Sequence, residues 1–263
     1  MEHILQTRLT RYLENNNLFL SCIFGFRPGL STQDVFLQLQ NHILDSPVGD
    51  TKAILAVYLT KAFDNVTRAA VLEGLLTLGV RQRMYSYNRD FLSQRAATLT
   101  LGDNRLSRVP LGARGTPQGA VLSPMLFNIT LLQLPNHLSQ VPDIRFSFYA
   151  DDITVWANRG SDADMEHNLQ SALKIIDSRC RARGLACSPS KSELFLYCPR
   201  RHDPVNLSLT IGNHPIPLVS KIRILGLLLH SHGAHGDTIQ DHHTKPNKPP
   251  VSFGAWHTGA RVY

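Results

Sequence analysis

The sequence predicts an α+β fold, with strands at its centre and amphipathic helices between them. Residues 52–60 form a nearly continuous apolar run, which is typical of a strand buried on both faces of a sheet. In residues 146–155, runs rich in aromatic and β-branched residues stand on both sides of Asp151 and Asp152. This pattern predicts a hairpin with two carboxylates at its tip. Apolar residues recur at helical spacing in three tracts, residues 1–20, 67–79 and 163–183.

The first fifty residues predict two helices joined by a loop. We expect the first helix to bury one apolar face and to end at the asparagine run 15–17. Residues 24–31 predict a Gly/Pro loop with an exposed-looking Arg27. Residues 31–34, Ser-Thr-Gln-Asp, supply the start signal of the second helix. The predicted inward residues of these helices are Ile4, Leu5, Leu9, Tyr12, Leu13, Val35, Phe36, Leu39 and Ile43.

The middle of the chain alternates helices, short strands and one Gly/Pro-rich loop. A helix over 67–79 is predicted to turn Val71, Leu72, Leu75 and Leu76 inward and to end at Gly79. A further helix is predicted over 81–95, followed by a strand pair, 96–101 with 106–111. Residues 112–124 then form a loop that opens an apolar helix over 121–133.

The last part of the chain predicts a long helix, short strands and a tail. The helix over 163–183 carries Leu169, Leu173 and Ile176 on one face and stops at Gly184. Strands are predicted at 194–197, 207–211 and 222–229. Residues 230–263 hold six of the twelve histidines and no periodic apolar face. We expect this tail to be disordered, and its histidines lack the spacing and the cysteines of a zinc site.

The composition indicates which binding partners and which cellular compartment to expect. The formal net charge of +7 and the pI near 9.4 favour a polyanionic partner. The four cysteines show no CxxC spacing, which favours free thiols and an intracellular protein. We expect no membrane partner and no signal peptide, because neither a membrane-length apolar run nor a basic start with an apolar run is present.

Ordered tracts of the sequence resemble the reverse transcriptases of non-LTR (LINE-type) retrotransposons. Residues 149–152, Tyr-Ala-Asp-Asp, are similar to the catalytic box of that family, and residues 115–128 are similar to the block before it. Residues 24–29 resemble its fingers block, while 191–193 and 224–226 stand where two later palm blocks belong. The pair Asp151 and Asp152 alone could be an acidic turn or a Mg²⁺ site; the ordered blocks favour the metal site.

The resemblance implies a polymerase palm, which is an antiparallel, ferredoxin-like sheet backed by helices. Residues 1–50 would be a fingers portion and 51–229 the palm, with a fingers-type insertion at about 80–111. The match runs to roughly residue 236. We expect the chain to be a truncated copy without the helical thumb that would follow the palm. The tail from 230 looks like translation past a frameshift.

The resemblance also implies RNA-directed DNA polymerase activity, in which a primer 3′-hydroxyl attacks a dNTP paired to an RNA template. Two Mg²⁺ ions would clamp the reacting oxygens, with Asp151 and Asp152 as ligands. Lys191 is a candidate for neutralising or protonating the pyrophosphate. The substrate-binding candidates are Arg27 for the triphosphate or template, Phe63 as a gate against a ribose 2′-hydroxyl, Gln118 and Gly119 under the nascent base pair, and Tyr149 in the catalytic box.

Several of these residues also have a purely structural interpretation. Arg27 could hold its own loop, Phe63 could belong to the core, and Lys191 could be a solvated surface side chain. The oligomeric state is not indicated by the sequence.

Tyr58 departs from the family pattern. It occupies the position where the first palm block ends its strand with an aspartate, the third metal ligand. A neutral phenol with a pKa of about 10 is a poor Mg²⁺ ligand, and Asp64, six residues further on, is not expected to replace the lost carboxylate. We therefore hypothesise that polymerisation is weak or lost. The alternatives are a non-catalytic nucleic-acid-binding remnant, or a decayed copy that forms no stable protein.

Overall fold

The structure is a computed structural model that describes residues 1–47, 51–93, 95–98, 100–101, 104–105, 107–117, 119–198 and 207–231. The α-helices of these ranges are α1 (Glu2–Asn15), α2 (Thr32–Leu39), α3 (Ala62–Asn65), α4 (Arg68–Thr77), α5 (Gln82–Leu92), α6 (Ser123–Leu131), α7 (Leu134–Leu138) and α8 (Asp162–Ala182). The strands are β1 (Lys52–Tyr58), β2 (Ala96–Ala97), β3 (Thr100–Leu101), β4 (Asn104–Arg105), β5 (Val109–Pro110), β6 (Ile144–Tyr149), β7 (Asp152–Ala157), β8 (Glu193–Tyr197), β9 (Thr210–Ile211), β10 (His214–Pro215), β11 (Leu218–Val219), β12 (Lys221–Ile224) and β13 (Leu227–His230). A π-helical turn, Gln40–Leu44, continues α2.

A five-stranded sheet forms the centre of the fold, in the order β11-β8-β1-β7-β6. Strand β1 lies in the middle, as its apolar run predicts, and pairs antiparallel with both β7 and β8. Strands β6 and β7 form the predicted hairpin. The edge strand β11 pairs parallel with β8 and was not predicted. The α+β prediction is confirmed.

The two faces of the sheet are covered to different extents. One face, which includes Leu55 and Val57, packs against α1, α4, α6 and α8 in the larger core cluster. The other face, which includes Ile54 and Trp156, packs against α2 and the hairpin β12–β13. Because α2 and this hairpin cover only part of the second face, the end of β1 and the start of β7 stay open to a cavity.

Three sequence predictions of inward faces and extents are wrong. Helix α1 ends at Asn15, as the asparagine run predicts, but Ile4 on its predicted inner face is 54% exposed. Leu76 of α4 is likewise 61% exposed, because the helix packs through Val71 and Leu75 instead. Residues 222–229 are not one strand, since Leu225 and Gly226 both adopt positive φ and fold β12 back onto β13.

Parts of the predicted insertion and tail lie outside the described residues. Helix α5 and the strand pairs β2–β5 and β3–β4 occupy the predicted insertion at about 80–111. His230 closes β13, so the last strand extends one residue into the predicted tail. Residues 232–263 are outside the described ranges, and the predicted tail keeps its status as a prediction.

The cysteines agree with the compositional prediction of free thiols. All four cysteines are free. No helix in the described ranges combines the length and the apolarity needed to cross a membrane.

Candidate active site

The two acids lie at the tip of the β6–β7 hairpin, as the sequence predicts. Ala150 adopts a φ of +57° and starts the tight turn that presents Asp151 and Asp152. Within the described part of the chain, neither carboxylate has a hydrogen bond or an ion pair. Two adjacent carboxylates without cationic partners repel each other, so this tip is suited to binding a cation.

Asp152 is the more perturbed of the two acids. Although its side chain is open to solvent at the cavity, the protein around it reduces its hydration. This desolvation, and secondly the neighbouring charge of Asp151, raise the pKa of the Asp152 carboxyl above its ordinary value. A cation bound at the tip would oppose both effects.

Tyr58 lies directly opposite Asp152 across the β1–β7 pair. The ammonium of Lys191 lies over the half-buried Tyr58 ring, with Nζ 4.8 Å from the ring centroid. These side chains, with Glu193 and Arg223 among others, line a cavity of about 120 Å³. Asp64 does not line this cavity. An aromatic ring and an ammonium group therefore stand beside Asp152, at the position where the family pattern has a carboxylate.

Ser192 fixes Lys191 beside Tyr58. The fully buried Ser192 hydroxyl accepts a hydrogen bond from the Tyr58 N–H at 3.1 Å and donates one to the Ser188 carbonyl at 2.8 Å. The Ser188 N–H donates in turn to the Tyr58 carbonyl at 2.9 Å. The loop before β8 is thus tied to the end of β1, which places the lysine over the ring.

The loop after α1 docks onto the acidic hairpin through Gly25. The Phe24 N–H donates to the Phe148 carbonyl, and the Phe148 N–H donates to the Cys22 carbonyl, each at 2.8 Å. A Cβ on Gly25 would lie only 2.5 Å from the backbone nitrogen of Ala150. Asn128 of α6 donates a buried 2.7 Å hydrogen bond to the Gly25 carbonyl. Three sequence blocks therefore meet at this glycine.

Arg27 is not the exposed side chain that the sequence suggested, since it is only 12% exposed. Its guanidinium donates to both carboxylate oxygens of Glu14 at 2.9 and 2.7 Å. It also donates to the carbonyls of Leu20 and Ile23 and lies over the Phe19 ring. These contacts match the loop-holding interpretation, because helix α1 and the loop consume the donors that a triphosphate would need. The triphosphate contact stays a prediction.

Phe63 and Gly119 lie on the loop side of the site. The half-buried Phe63 ring packs on Phe127 with centroids 4.6 Å apart and meets the edge of Phe26 at 6.4 Å. Gly119 is exposed with a φ of +83°, and a Cβ there would meet no protein atom within 4 Å. The space around Gly119 leaves room for a ligand close to the backbone.

The two remaining substrate candidates are Tyr149 and Gln118. Tyr149 is half-buried, pairs with Asp152 in the hairpin and packs against the smaller core cluster. Gln118 lies outside the described residues, so its predicted role keeps its status as a prediction.

The sequence pattern of the reverse transcriptase (RNA-dependent DNA polymerase) family matches residues 1–229. The chain belongs to the reverse transcriptase family. This result confirms the resemblance on which the site prediction depends. Reverse transcriptases generally use divalent metal ions.

Two relatives of this reverse transcriptase chain come from non-LTR retrotransposons. The "Probable RNA-directed DNA polymerase from transposon BS" of Drosophila melanogaster is 24% identical over 87% of this chain and 26% of its own length. The Pol polyprotein of the type-1 retrotransposable element R2 of Popillia japonica is 27% identical over 71% of this chain and 27% of its own length. The chain thus spans about a quarter of each relative.

A solved telomerase shares the fold of this reverse transcriptase chain. The telomerase from Candida albicans, determined in complex with a fragment of telomeric RNA, superposes with a TM-score of 0.57 at 15% identity. The superposition covers 88% of this chain and 36% of the telomerase chain. The palm-like fold is thereby confirmed.

The side chains present fit a divalent metal site of the reverse transcriptase family only in part. Among the residues that the structure describes, no group of three His, Cys, Asp or Glu side chains is placed to hold a metal ion. Asp151 and Asp152 provide two carboxylates, and the position opposite Asp152 provides the phenol of Tyr58. The donor set is one carboxylate short of the family pattern.

Ser192, Gly25 and Asn128 were not identified as site residues from the sequence. Ser192 and Gly25 stand within blocks that were recognised, next to Lys191 and Phe24, and Asn128 ends the block 115–128. The position of these three residues within the family-like blocks is the sequence signal that points to a role in the site. What these residues do depends on contacts with distant segments, which a single sequence does not reveal.

Proposed function

We propose that this chain is the template-directed core of an RNA-directed DNA polymerase whose nucleotide transfer is slowed by Tyr58. The reaction adds dNTPs to a primer 3′-hydroxyl opposite an RNA template. The observation that carries the proposal is the pairing of Tyr58 with Asp152 at the open end of the central sheet, where neither Asp151 nor Asp152 has an ion-pair or hydrogen-bond partner among the described residues.

Each residue of the site would have a distinct task. Asp151 and Asp152 are the groups that would hold Mg²⁺, whose chemistry would be to offset the charge of the triphosphate. Gly119 would let the template strand approach the backbone, and the Phe63 ring would stand against the sugar. Lys191 would offset the charge of the departing pyrophosphate, once its ammonium leaves the Tyr58 ring.

A non-catalytic nucleic-acid-binding remnant is the second candidate, and the contact between Lys191 and Tyr58 favours it. The ammonium lies 4.8 Å from the ring centroid and lines the same cavity as Asp152. A cation held there by the protein weakens the need for a metal ion at Asp152. In this case the basic chain would bind the polyanion without transferring nucleotides.

Primer extension by the Tyr58→Asp variant separates the two candidates. One lost metal ligand costs several kcal/mol of transition-state stabilisation, so we expect the variant to extend a primer about a hundred-fold faster than the wild type. Tyr58→Phe keeps the ring without a carboxylate and serves as the matched control, for which no gain is expected. In the variant, Asp151→Asn should abolish the gain.

The results of this primer-extension experiment decide between the two candidate functions. A wild-type chain that extends primers as fast as Tyr58→Asp would refute the role given to Tyr58. A variant that gains no activity while both proteins bind RNA would support the non-catalytic remnant.

A further inference from the structure

Three arginines form a basic pocket beside the loop that precedes Gly119. Arg68, Arg95 and Arg108 line an open pocket of about 450 Å³, together with Ala96, Pro110 and Leu111. Among the residues that the structure describes, no acidic side chain lines this pocket and none of the three arginines forms an ion pair. The described side chains around the pocket therefore do not compensate its charge.

Arg95 is the most deeply buried member of this arginine pocket. It is only 8% exposed, and its guanidinium donates to the carbonyls of Arg114 and Gly115 at 3.0 and 2.8 Å. Its Nε is buried without a hydrogen-bond partner. Burial, and secondly the charge of Arg68, lower the pKa of Arg95. A buried guanidinium with an unused donor is unstable unless an acceptor reaches it.

Arg68, the first residue of helix α4, makes the same kinds of contact as Arg95. One of its terminal nitrogens donates to the Gly112 carbonyl at 2.6 Å, and its Nε is also buried without a partner. Both arginines thus hold carbonyls of the loop at 112–115 while their positive charges stay close together. Like charges brought together in a half-buried pocket favour an anion between them.

We propose that the arginine pocket binds a backbone phosphate of a nucleic-acid strand running along the loop at 112–119. The planar guanidinium matches phosphate oxygens in paired hydrogen bonds. Phosphates are the groups through which such proteins position a strand, independently of its sequence. Gly115 is held by Arg95 and lies four residues before Gly119 in the chain, so the phosphate would lie beside the predicted template floor. The inference deepens the proposed function and depends on its nucleic-acid substrate.

The alternative explanation is that these arginines only brace their loop. Arg95 is therefore a poor test, because removing it would release the carbonyls of Arg114 and Gly115 and could unfold the loop. Arg108 is exposed on the pocket and has no such duty among the described contacts. Arg108→Gln is the informative variant. Arg159→Gln, at the far end of β7 from the acids, removes the same charge from another exposed position.

Binding of a labelled single-stranded RNA, followed by fluorescence anisotropy between about 50 and 200 mM salt, tests the pocket on the full chain. We expect Arg108→Gln to weaken binding about three- to ten-fold and to reduce the slope of log affinity against log salt by about 0.7, as one lost phosphate contact does on a single strand. Arg159→Gln should leave the slope unchanged. Equal losses in the two variants would overturn the phosphate site while leaving the proposed function standing.

A second measurement keeps the two proposals separable. Inorganic phosphate is titrated into the wild-type chain, and the Nε–Hε resonances of Arg68 and Arg95 are followed by NMR after assignment with Arg68→Lys and Arg95→Lys. Saturable shifts in both resonances support the site, even if the chain fails to bind RNA and the proposed function fails. Resonances that do not move would overturn the site.

Discussion

Tyr58 and Asp152 lie directly opposite each other on neighbouring antiparallel strands at the open end of the central sheet. Side chains in such pairs stand about 5 Å apart at Cβ, so whatever occupies position 58 faces the second acid of the hairpin. An aspartate at this position would complete a group of three carboxylates. With tyrosine there, the same position instead holds the ammonium of Lys191 against an aromatic ring.

The Tyr58→Asp substitution should turn this pair into a metal-responsive one. Without a metal ion, the new carboxylate faces Asp152 and should lower the melting temperature by about 2–4 °C, which corresponds to about 1 kcal/mol for a chain of this size. Added Mg²⁺ should restore the melting temperature, because an ion that binds only the folded state stabilises it. Differential scanning calorimetry with and without the ion measures both changes.

Tyr58→Asn is the matched control for the metal response, since it has nearly the shape of aspartate without the charge. We expect its melting temperature to be insensitive to Mg²⁺. A wild-type chain that responds to Mg²⁺ as strongly as Tyr58→Asp would contradict the view that Tyr58 leaves the site incomplete.

Gly25→Ala should destabilise the chain by about 1–3 kcal/mol, because a Cβ would lie 2.5 Å from the backbone nitrogen of Ala150, where nothing flexible can give way. Gly112→Ala is the matched control, since a Cβ there meets nothing within 4 Å. Neither glycine has the positive φ that would itself disfavour alanine. Chemical denaturation should show the loss at Gly25 and a change within about 0.5 kcal/mol at Gly112. Equal effects at both positions would refute the docking of this loop on the hairpin.

Arg27→Ala should cost about 2–3 kcal/mol of unfolding free energy, because it leaves Glu14 and two loop carbonyls without their donor. Arg27→Lys should recover only part of this loss, since an ammonium cannot reproduce the two-pronged contact with the carboxylate. A double-mutant cycle with Glu14→Gln measures the coupling directly. A coupling near zero would favour a role for Arg27 outside the fold, such as the predicted triphosphate contact.

Local signals predicted the regular elements well where both ends carried a marker. Helix α8 was expected over 163–183 and spans Asp162–Ala182, because Ser161 caps its start and Gly184 adopts the positive φ that ends it. The nearly continuous apolar run of β1 alone predicts its place in the centre of the sheet. In these segments, local preference and tertiary packing agree.

The elements that the sequence did not reveal depend on contacts between distant segments. Strand β11 has only two residues, and its pairing with β8 has no local pattern. The turn between β12 and β13 begins at Leu225, a residue type that rarely adopts positive φ. The site prediction named Lys191 but not Ser192, although Ser192 fixes the lysine beside Tyr58.

Asp152→Asn should stabilise the chain at neutral pH, with a gain that depends on pH. Desolvation and the charge of Asp151 raise the folded-state pKa of Asp152, so the folded state binds this proton more tightly than the unfolded chain. Below the unfolded-state pKa of about 3.9, the carboxyl is protonated in both states, and the stability that its proton contributes to the folded wild type is fully present. As the pH rises through the folded-state pKa, this contribution to stability is lost. The melting temperature of Asp152→Asn should therefore exceed that of the wild type increasingly from about pH 4 towards pH 7.

Asp164→Asn provides a control of opposite sign for this pH dependence. Hydrogen bonds from Ser161 lower the pKa of Asp164, so its contribution to stability is present above the unfolded pKa and disappears as the pH falls through the folded pKa. This variant should lose stability at neutral pH and match the wild type in acid. Thermal melts of the two variants and the wild type across the same pH range should diverge in opposite directions. If Asp152→Asn instead lost stability as the pH rose, the acid would already be compensated by a cationic partner, and the open acidic tip would not be available to a metal ion.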